Sequence, residues 1–229
     1  MAATGADGHA KLSRDTIVDA ALALVDEDGL EALSMRRLAA RLGVEAMSLY
    51  NHIDGKAALL DALVERLIVG TDIDFPDNEP WTEAMMRMAT AVRSLAYAHP
   101  RAYVLLATRP PATARGIVHL EPLHAVLARA GFDGGQRLLI MQILFTFLSG
   151  YLLAEVGTPP GQADVPEPDG IAAYSNLPEE AKYARDAANL IVAPGWLARE
   201  FETAVRLVIG GLERIEPATA TYPTTEQSR

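Results

Sequence analysis

Apolar residues recur at helical spacing along nearly the whole chain, and no stretch alternates as a strand would. In 13–29, Ile17, Ala21, Leu24 and Val25 share one helical face, with Ser13 placed to cap its start and Gly29 to stop it. Ser34 predicts the cap of a short second helix that turns Leu38, Ala39 and Leu42 inward and ends at Gly43, where glycine enters the left-handed conformation cheaply. A third short helix is predicted over 45–52, and a fourth, capped by Asp54, reaches Val69. The stretch "GTDIDFPDNEP" at 70–80 breaks the pattern and marks the first linker. A long helix follows over 81–98, then a short piece ending in "ATRPP", then a helix over 113–130 that Pro122 kinks or delays. "GFDGG" stops it, an apolar helix occupies 136–156, and two last helices cover 178–192 and 195–215. Between them "GTPPGQADVPEPDG" is rich in proline, glycine and acids, which predicts a disordered loop over 157–175. The expected fold class is all-α, without internal repeats.

The segment "SMRRLAARLGVEAMSLYNHIDGK" carries the most specific pattern. Two short helices joined by a tight turn with a glycine, behind a longer first helix, spell a helix-turn-helix unit. At about 100° per residue, with Met47 at zero, Asn51 falls near 40°, Ser48 near 100° and His52 near 140°. Ala46, Leu49 and Ile53 fall together at about 200–260°. Apolar residues thus share one face and groups able to touch bases share the other. Asn51 matches adenine, Ser48 donates or accepts, and Met47 offers an apolar contact to a thymine methyl. Arg36, Tyr50 and Lys56 lie within reach of phosphates, as do the free N–H groups of the helix that Ser34 caps. Arg37 and Arg41 read equally as solvated surface. A three-helix cluster with one polar face has the same periodicity without touching DNA, so the pattern alone leaves both readings open.

Composition changes this picture only at the margins. With 229 residues, half of them hydrophobic and 22% charged, the chain is an ordinary globular sequence with room for a large core. It has no cysteine, which excludes disulfides, thiol chemistry and thiolate metal sites. The net charge of −10 argues against a nonspecific nucleic-acid coat. The segment 34–56 sets four basic residues (Arg36, Arg37, Arg41, Lys56) against two acids (Glu45, Asp54), a balance of +2, so DNA recognition rests on geometry rather than on field. The start "MAATGADGHAKL" lacks the pattern of a secretory signal and reads as a mobile arm over 1–12. The uncharged run 138–154 reaches the lower length of a membrane span, about 17 residues. Gln142, Thr146 and Ser149 within it favour a helix buried between helices, and no membrane partner is expected.

Several motifs together carry a family resemblance: "IVDAALALVDEDGLEALSMRRLAARLGV", "SLYNHIDGKAALLDAL", and above all Tyr50 and His52 followed by Lys56. Residues 13–70 resemble the DNA-binding domain of the tetracycline-repressor (TetR) family. "EPWTEAMMRMA", "ATRPP", "LARAGFD", "FTFLSGYLLAE" and "VIGGLERI" are similar to the C-terminal half of the tetracycline repressors, so the likeness extends over about 13–215. It implies an N-terminal three-helix helix-turn-helix domain at 13–70 and a C-terminal helical ligand-binding and dimerisation domain at 71–215, followed by a flexible tail at 216–229. The implied protein is a cytoplasmic homodimer on double-stranded, palindromic operator DNA. A small-molecule effector would move the fourth helix and spoil the spacing of two recognition helices. No cofactor, metal or catalytic residue is implied.

The resemblance places the dimer's four-helix bundle at 136–156 and 195–215, with Gly210 and Gly211 where helices approach closely. It places the effector among Met88, Val92, Thr108, Arg109, Pro110, Val118, Gln142 and Phe145, with Tyr97 and Tyr103 as weaker candidates. Met85, Met86 and Met88 read equally as core filler. The tetracycline repressors hold their drug with a histidine and an asparagine where Asp72 and Met88 stand here. Their magnesium-binding histidine before Thr-Arg-Pro has no counterpart in "AYVLLATRPP". The expected effector is therefore an apolar or aromatic compound rather than magnesium–tetracycline. "HLEPLH" presents His119, Glu121 and His124, but the i, i+5 spacing of its histidines and the intervening Pro122 oppose a shared metal. A metal-dependent helical enzyme, a dimeric interaction module without specific DNA binding, and an activator in place of a repressor are the competing readings.

Overall fold

The computed structural model describes residues 12–71, 73–157, 177–178, 180–191 and 196–217. Every regular element among them is helical: α1 (Arg14–Asp28), a 3₁₀ turn (Leu30–Ala32), α2 (Met35–Leu42), α3 (Ala46–Tyr50), α4 (Gly55–Val69), α5 (Trp81–Ala98), α6 (Pro100–Thr108), α7 (Ala114–His119), α8 (Glu121–Arg129), α9 (Gly134–Val156), α10 (Lys182–Ile191) and α11 (Trp196–Leu212). They gather into two compact units whose membership does not follow chain order. The described residues up to Thr71 join Leu95–His119, and those of Asp72–Ser94 join the residues from Leu120 onward.

In the first unit α1 packs on α2, α4 and α6, and α4 packs in addition on α6 and α7. The core is largely aliphatic, with Ile17, Val25, Leu38, Leu49, Leu59 and Leu63 fully buried, and Tyr103 of α6 is buried as well. Local chemistry sets the helix ends. Ser13 forms a capping box with Thr16, and the Ser34 hydroxyl accepts from the Arg37 backbone N–H. Gly43 closes α2 with φ +67°. Asp54 occupies the N-cap of α4 as expected, yet its side chain makes no capping bond. In the C-terminal half of α4 a charged group is buried. The Glu65 carboxylate accepts two hydrogen bonds from Arg14, at 2.9 and 3.2 Å, and Arg115 lies 3.7 Å away.

In the second unit α9 packs on α8 and α11, and α11 on α10. Asp133 and Gln136 form the capping box that starts α9. Trp81 meets Phe132 edge-on at 5.3 Å, Tyr151 meets Phe201 at 5.5 Å, and the Arg93 guanidinium, paired with Glu155, lies over the Phe201 ring at 4.6 Å. α9 is long and apolar enough to cross a membrane. It buries Ile140, Leu144, Leu148 and Leu152 and leaves Leu138, Leu139 and Ile143 exposed, so an apolar face remains uncovered in the single chain.

Two expectations about elements need correction. The helix over 113–130 is two helices, because Leu120 separates α7 from α8, and Pro122 sits in the first turn of α8, where its missing N–H costs nothing. The third helix is shorter than 45–52, since Asn51 and His52 belong to its C-terminal turn. The arm at 1–12 apart from Leu12, the loop at 157–175 apart from Gly157, and the tail beyond 217 lie outside the described residues.

Candidate nucleic-acid interface and effector residues

α2 and α3 are joined by Gly43, Val44 and Glu45. The Val44 N–H donates to the Ala39 carbonyl at 3.0 Å, which closes the turn and lets α2 and α3 pack together. Leu49 and Ile53 point into the core at 0% and 5% exposure and fix the rotation of α3. The opposite face is open. Met47 is 71% exposed, Tyr50, Asn51, His52 and Lys56 are exposed, and Ser48 is half-buried. Ala46 is only half-buried, because α3 begins there and its side chain lies at the edge of the packed face. Gly55 follows with φ +85°, and a Cβ there would stand 3.9 Å from the Tyr50 ring. This turn sets Tyr50 beside the start of α4, where Lys56 stands.

The basic residues of α2 divide into two groups. Arg36 and the Ser34 cap are exposed, and no ion pair holds Arg36 among the described residues. Arg37 donates to Asp28 at 2.6 Å, and Arg41 grips both oxygens of Glu27 at 2.5 and 2.6 Å. The hydrogen bond and charge of Arg41 hold the Glu27 carboxyl below its usual range and raise the arginine in turn.

The candidate effector residues fall in both units. In the first, Tyr103 is buried in the core, while Thr108, Pro110 and Val118 are exposed. The Thr108 hydroxyl donates to the Val104 carbonyl at 2.6 Å. Arg109 turns its guanidinium to α4 and donates to Asp61 at 2.6 Å, leaving its buried Nε–H without a partner. In the second unit Met88 and Val92 are buried on α5, Phe145 is half-buried, and the exposed Gln142 donates to the Thr146 hydroxyl at 2.9 Å. Asp72 lies outside the described residues. A cavity of about 490 Å³ opens elsewhere on α5, lined by Ile73, Asp74, Glu79, Glu83, Met86, Arg87, Thr90 and Ala91, and it includes none of the candidates. His119 bonds to the Thr71 carbonyl at 3.0 Å, and among the described residues no three metal-ligating side chains gather.

Two family profiles match the chain: "Bacterial regulatory proteins, tetR family" over residues 17–63 and "Tetracyclin repressor-like, C-terminal domain" over residues 75–215. The second alone spans more than half the sequence. The chain belongs to the TetR family. The class C tetracycline repressor of Escherichia coli is 30% identical over 215 residues, covering 91% of this chain and 94% of that protein. An HTH-type transcriptional regulator of Saccharopolyspora erythraea is 33% identical over 144 residues, which are 63% of this chain and 61% of that protein. Among solved structures, ActR of Streptomyces coelicolor in complex with actinorhodin superposes with a TM-score of 0.73 at 28% identity, covering 90% of this chain and 98% of that one.

As a TetR-family member the chain is a DNA-binding, ligand-responsive transcriptional regulator. Its site holds features that the sequence did not announce. The pair "DED" at 26–28 and "MRRLAAR" at 35–41 stand close enough along the chain to suggest pairing. Asp61 and Arg109 are 48 residues apart, and no local pattern connects them.

Proposed function

We propose that this TetR-family regulator is a homodimeric repressor that inserts α3 of each subunit into successive major grooves of a palindromic operator. The division of α3 carries the reading: Leu49 and Ile53 are locked inward, so Met47, Ser48, Asn51 and His52 are held outward on a rigid support. Tyr50, Lys56, Arg36 and the Ser34-capped start of α2 take phosphates and fix the register. Residues 13–70 form the DNA-reading head and 71–215 the effector and dimer part. The uncovered apolar face of α9 and the open glycines Gly150 and Gly211, with no atom within 4 Å of a Cβ built there, support its role as the surface that meets a second subunit. No catalysis is assigned, and the protein works in the cytoplasm.

The effector is a small apolar or aromatic molecule held by residues of the Met88, Val92, Tyr103, Thr108–Pro110, Val118, Gln142 and Phe145 set. The absence of a histidine before Thr108, where Leu105 to Ala107 stand, supports a ligand other than a metal chelate. That ActR is solved with actinorhodin supports a small-molecule effector. Binding near Arg109 would disturb its bond to Asp61 and so reach α4 directly. Footprinting on the protein's own upstream DNA tests the proposal. Two protected half-sites separated by whole helical turns, about 34–36 Å each, are expected. A single uninterrupted protected tract, or none, contradicts it.

A further inference from the structure

α1 ends in three acids, Asp26, Glu27 and Asp28, with no basic residue in its last turn. The C-terminal end of a helix is its negative pole, so this is the costliest end at which to gather carboxylates. Groups from two other helices converge on them. From the start of α6, His99 Nδ1 lies 2.8 Å from Asp26 Oδ2, and Arg101 donates to the Asp26 carbonyl at 3.3 Å and to the Glu27 carbonyl. From α2, Arg41 grips Glu27 and Arg37 binds Asp28. Arg101 thus caps carbonyls the helix itself leaves unpaired, and consecutive residues of α1 face α6 and α2. The second Asp26 oxygen, Oδ1, is buried without a partner, so the carboxylate's fit depends on its contact with His99.

We propose that the acidic end of α1 is a tether through which the start of α6 sets the position of α2, making His99 and Arg101 positioning residues for operator binding. Arg37 and Arg41 serve this tether and not the DNA phosphates. It is a second link to the reading head besides the Arg109–Asp61 contact on α4, and it assigns a purpose to basic residues that would otherwise be counted as DNA contacts. The inference rests on the DNA-binding role of α3.

The test measures binding of the full-length chain to a fragment of its own promoter region across a salt series, with thermal midpoints alongside. His99→Gln and Arg101→Gln keep size and polarity. Each is expected to weaken promoter binding about five- to tenfold with the salt slope unchanged, because no phosphate contact is lost. Arg101→Lys, which still donates to carbonyls, restores most of the affinity. Arg37→Ala and Arg41→Ala leave the slope unchanged as well. Combining Arg41→Ala with Arg101→Gln costs less than the two separately, since both act on the same acids. Wild-type affinity in His99→Gln and Arg101→Gln overturns the proposal. So does a slope reduced by about one in Arg37→Ala or Arg41→Ala, which would place those arginines on phosphates. A loss of affinity tracking the thermal midpoint and not rescued by Arg101→Lys reduces the cluster to a fold-stabilising one and also overturns it. Wild-type protein that ignores the promoter fails at the earlier step, the DNA-binding role of α3, and takes the tether with it.

Discussion

Single side chains of the reading head carry separable duties. Tyr50 and Lys56 stand at the junction of α3 and α4, so their loss should affect all DNA alike. Lys56→Ala is expected to weaken binding to every sequence and lower the slope of log K against log salt by about one. Ser48→Ala and Asn51→Ala should instead change base preference, by about 1–3 kcal/mol at the position read, as a panel of mutated operators would reveal. Glu65 has a different duty. Burial pushes its carboxyl up, but hydrogen bonds from Arg14 and Thr113 and the charges of Arg14 and Arg115 outweigh burial and leave it lowered. A lowered folded-state value means that its contribution to stability is complete above the unfolded glutamate value, about 4.3, and disappears as pH falls through the lower folded value. Acid unfolding of Glu65→Gln should therefore lose part of the wild-type pH dependence below that point, with stability at pH 7 reduced by about 2 kcal/mol. An unchanged acid limb would show that the Arg14–Glu65–Arg115 cluster contributes nothing in solution.

Elements were legible in the sequence where a local signal ends them. Ser13, Gly29, Ser34 and Gly43 each act through bonds or dihedrals within four residues, and the helices they bound stand where the pattern put them. At Pro122 the pattern leaves a kink and a delayed start both open, because proline in a helical run signals a break or a beginning, and only the backbone at Leu120 decides which. The inward Leu49 and Ile53 and outward Met47 and Asn51 follow from periodicity alone, whereas Ala46, placed inward by the same period, is only half-buried because the helix begins there. What escaped was everything joined at long range: Arg109 to Asp61, Arg14 to Glu65, His99 to Asp26. Such pairs depend on how α6 and α4 lie against α1, which helical period does not encode. Gly43 offers a test at this scale. Its φ of +67° strains any residue with a Cβ although nothing lies within 4 Å, so Gly43→Ala should cost about 1 kcal/mol in thermal unfolding and Gly43→Asn less. Equal midpoints for all three would mean that the α2–α3 turn relaxes without penalty.

At the scale of the whole molecule, charge and apolar surface point to different partners. The chain carries −10 overall, yet α3 and its neighbours present polar and basic groups, so on the proposed reading DNA would meet one small face and the acidic remainder would stay off it. The exposed Leu138, Leu139 and Ile143 of α9 make a surface that a lone chain in water would hide. Leu139→Glu combined with Ile143→Glu is expected to yield a monomer by sedimentation, with operator affinity falling steeply because each half-site is then bound alone. A persistent dimer would put the interface elsewhere. The central claim, sequence-specific DNA binding by α3, is tested most directly by titrating the protein with its own promoter region and with random DNA of equal length over a range of salt. A preference of at least a thousandfold for the promoter at physiological salt, with affinity falling as salt rises, is the predicted result. Equal affinity for the two DNAs would contradict the account.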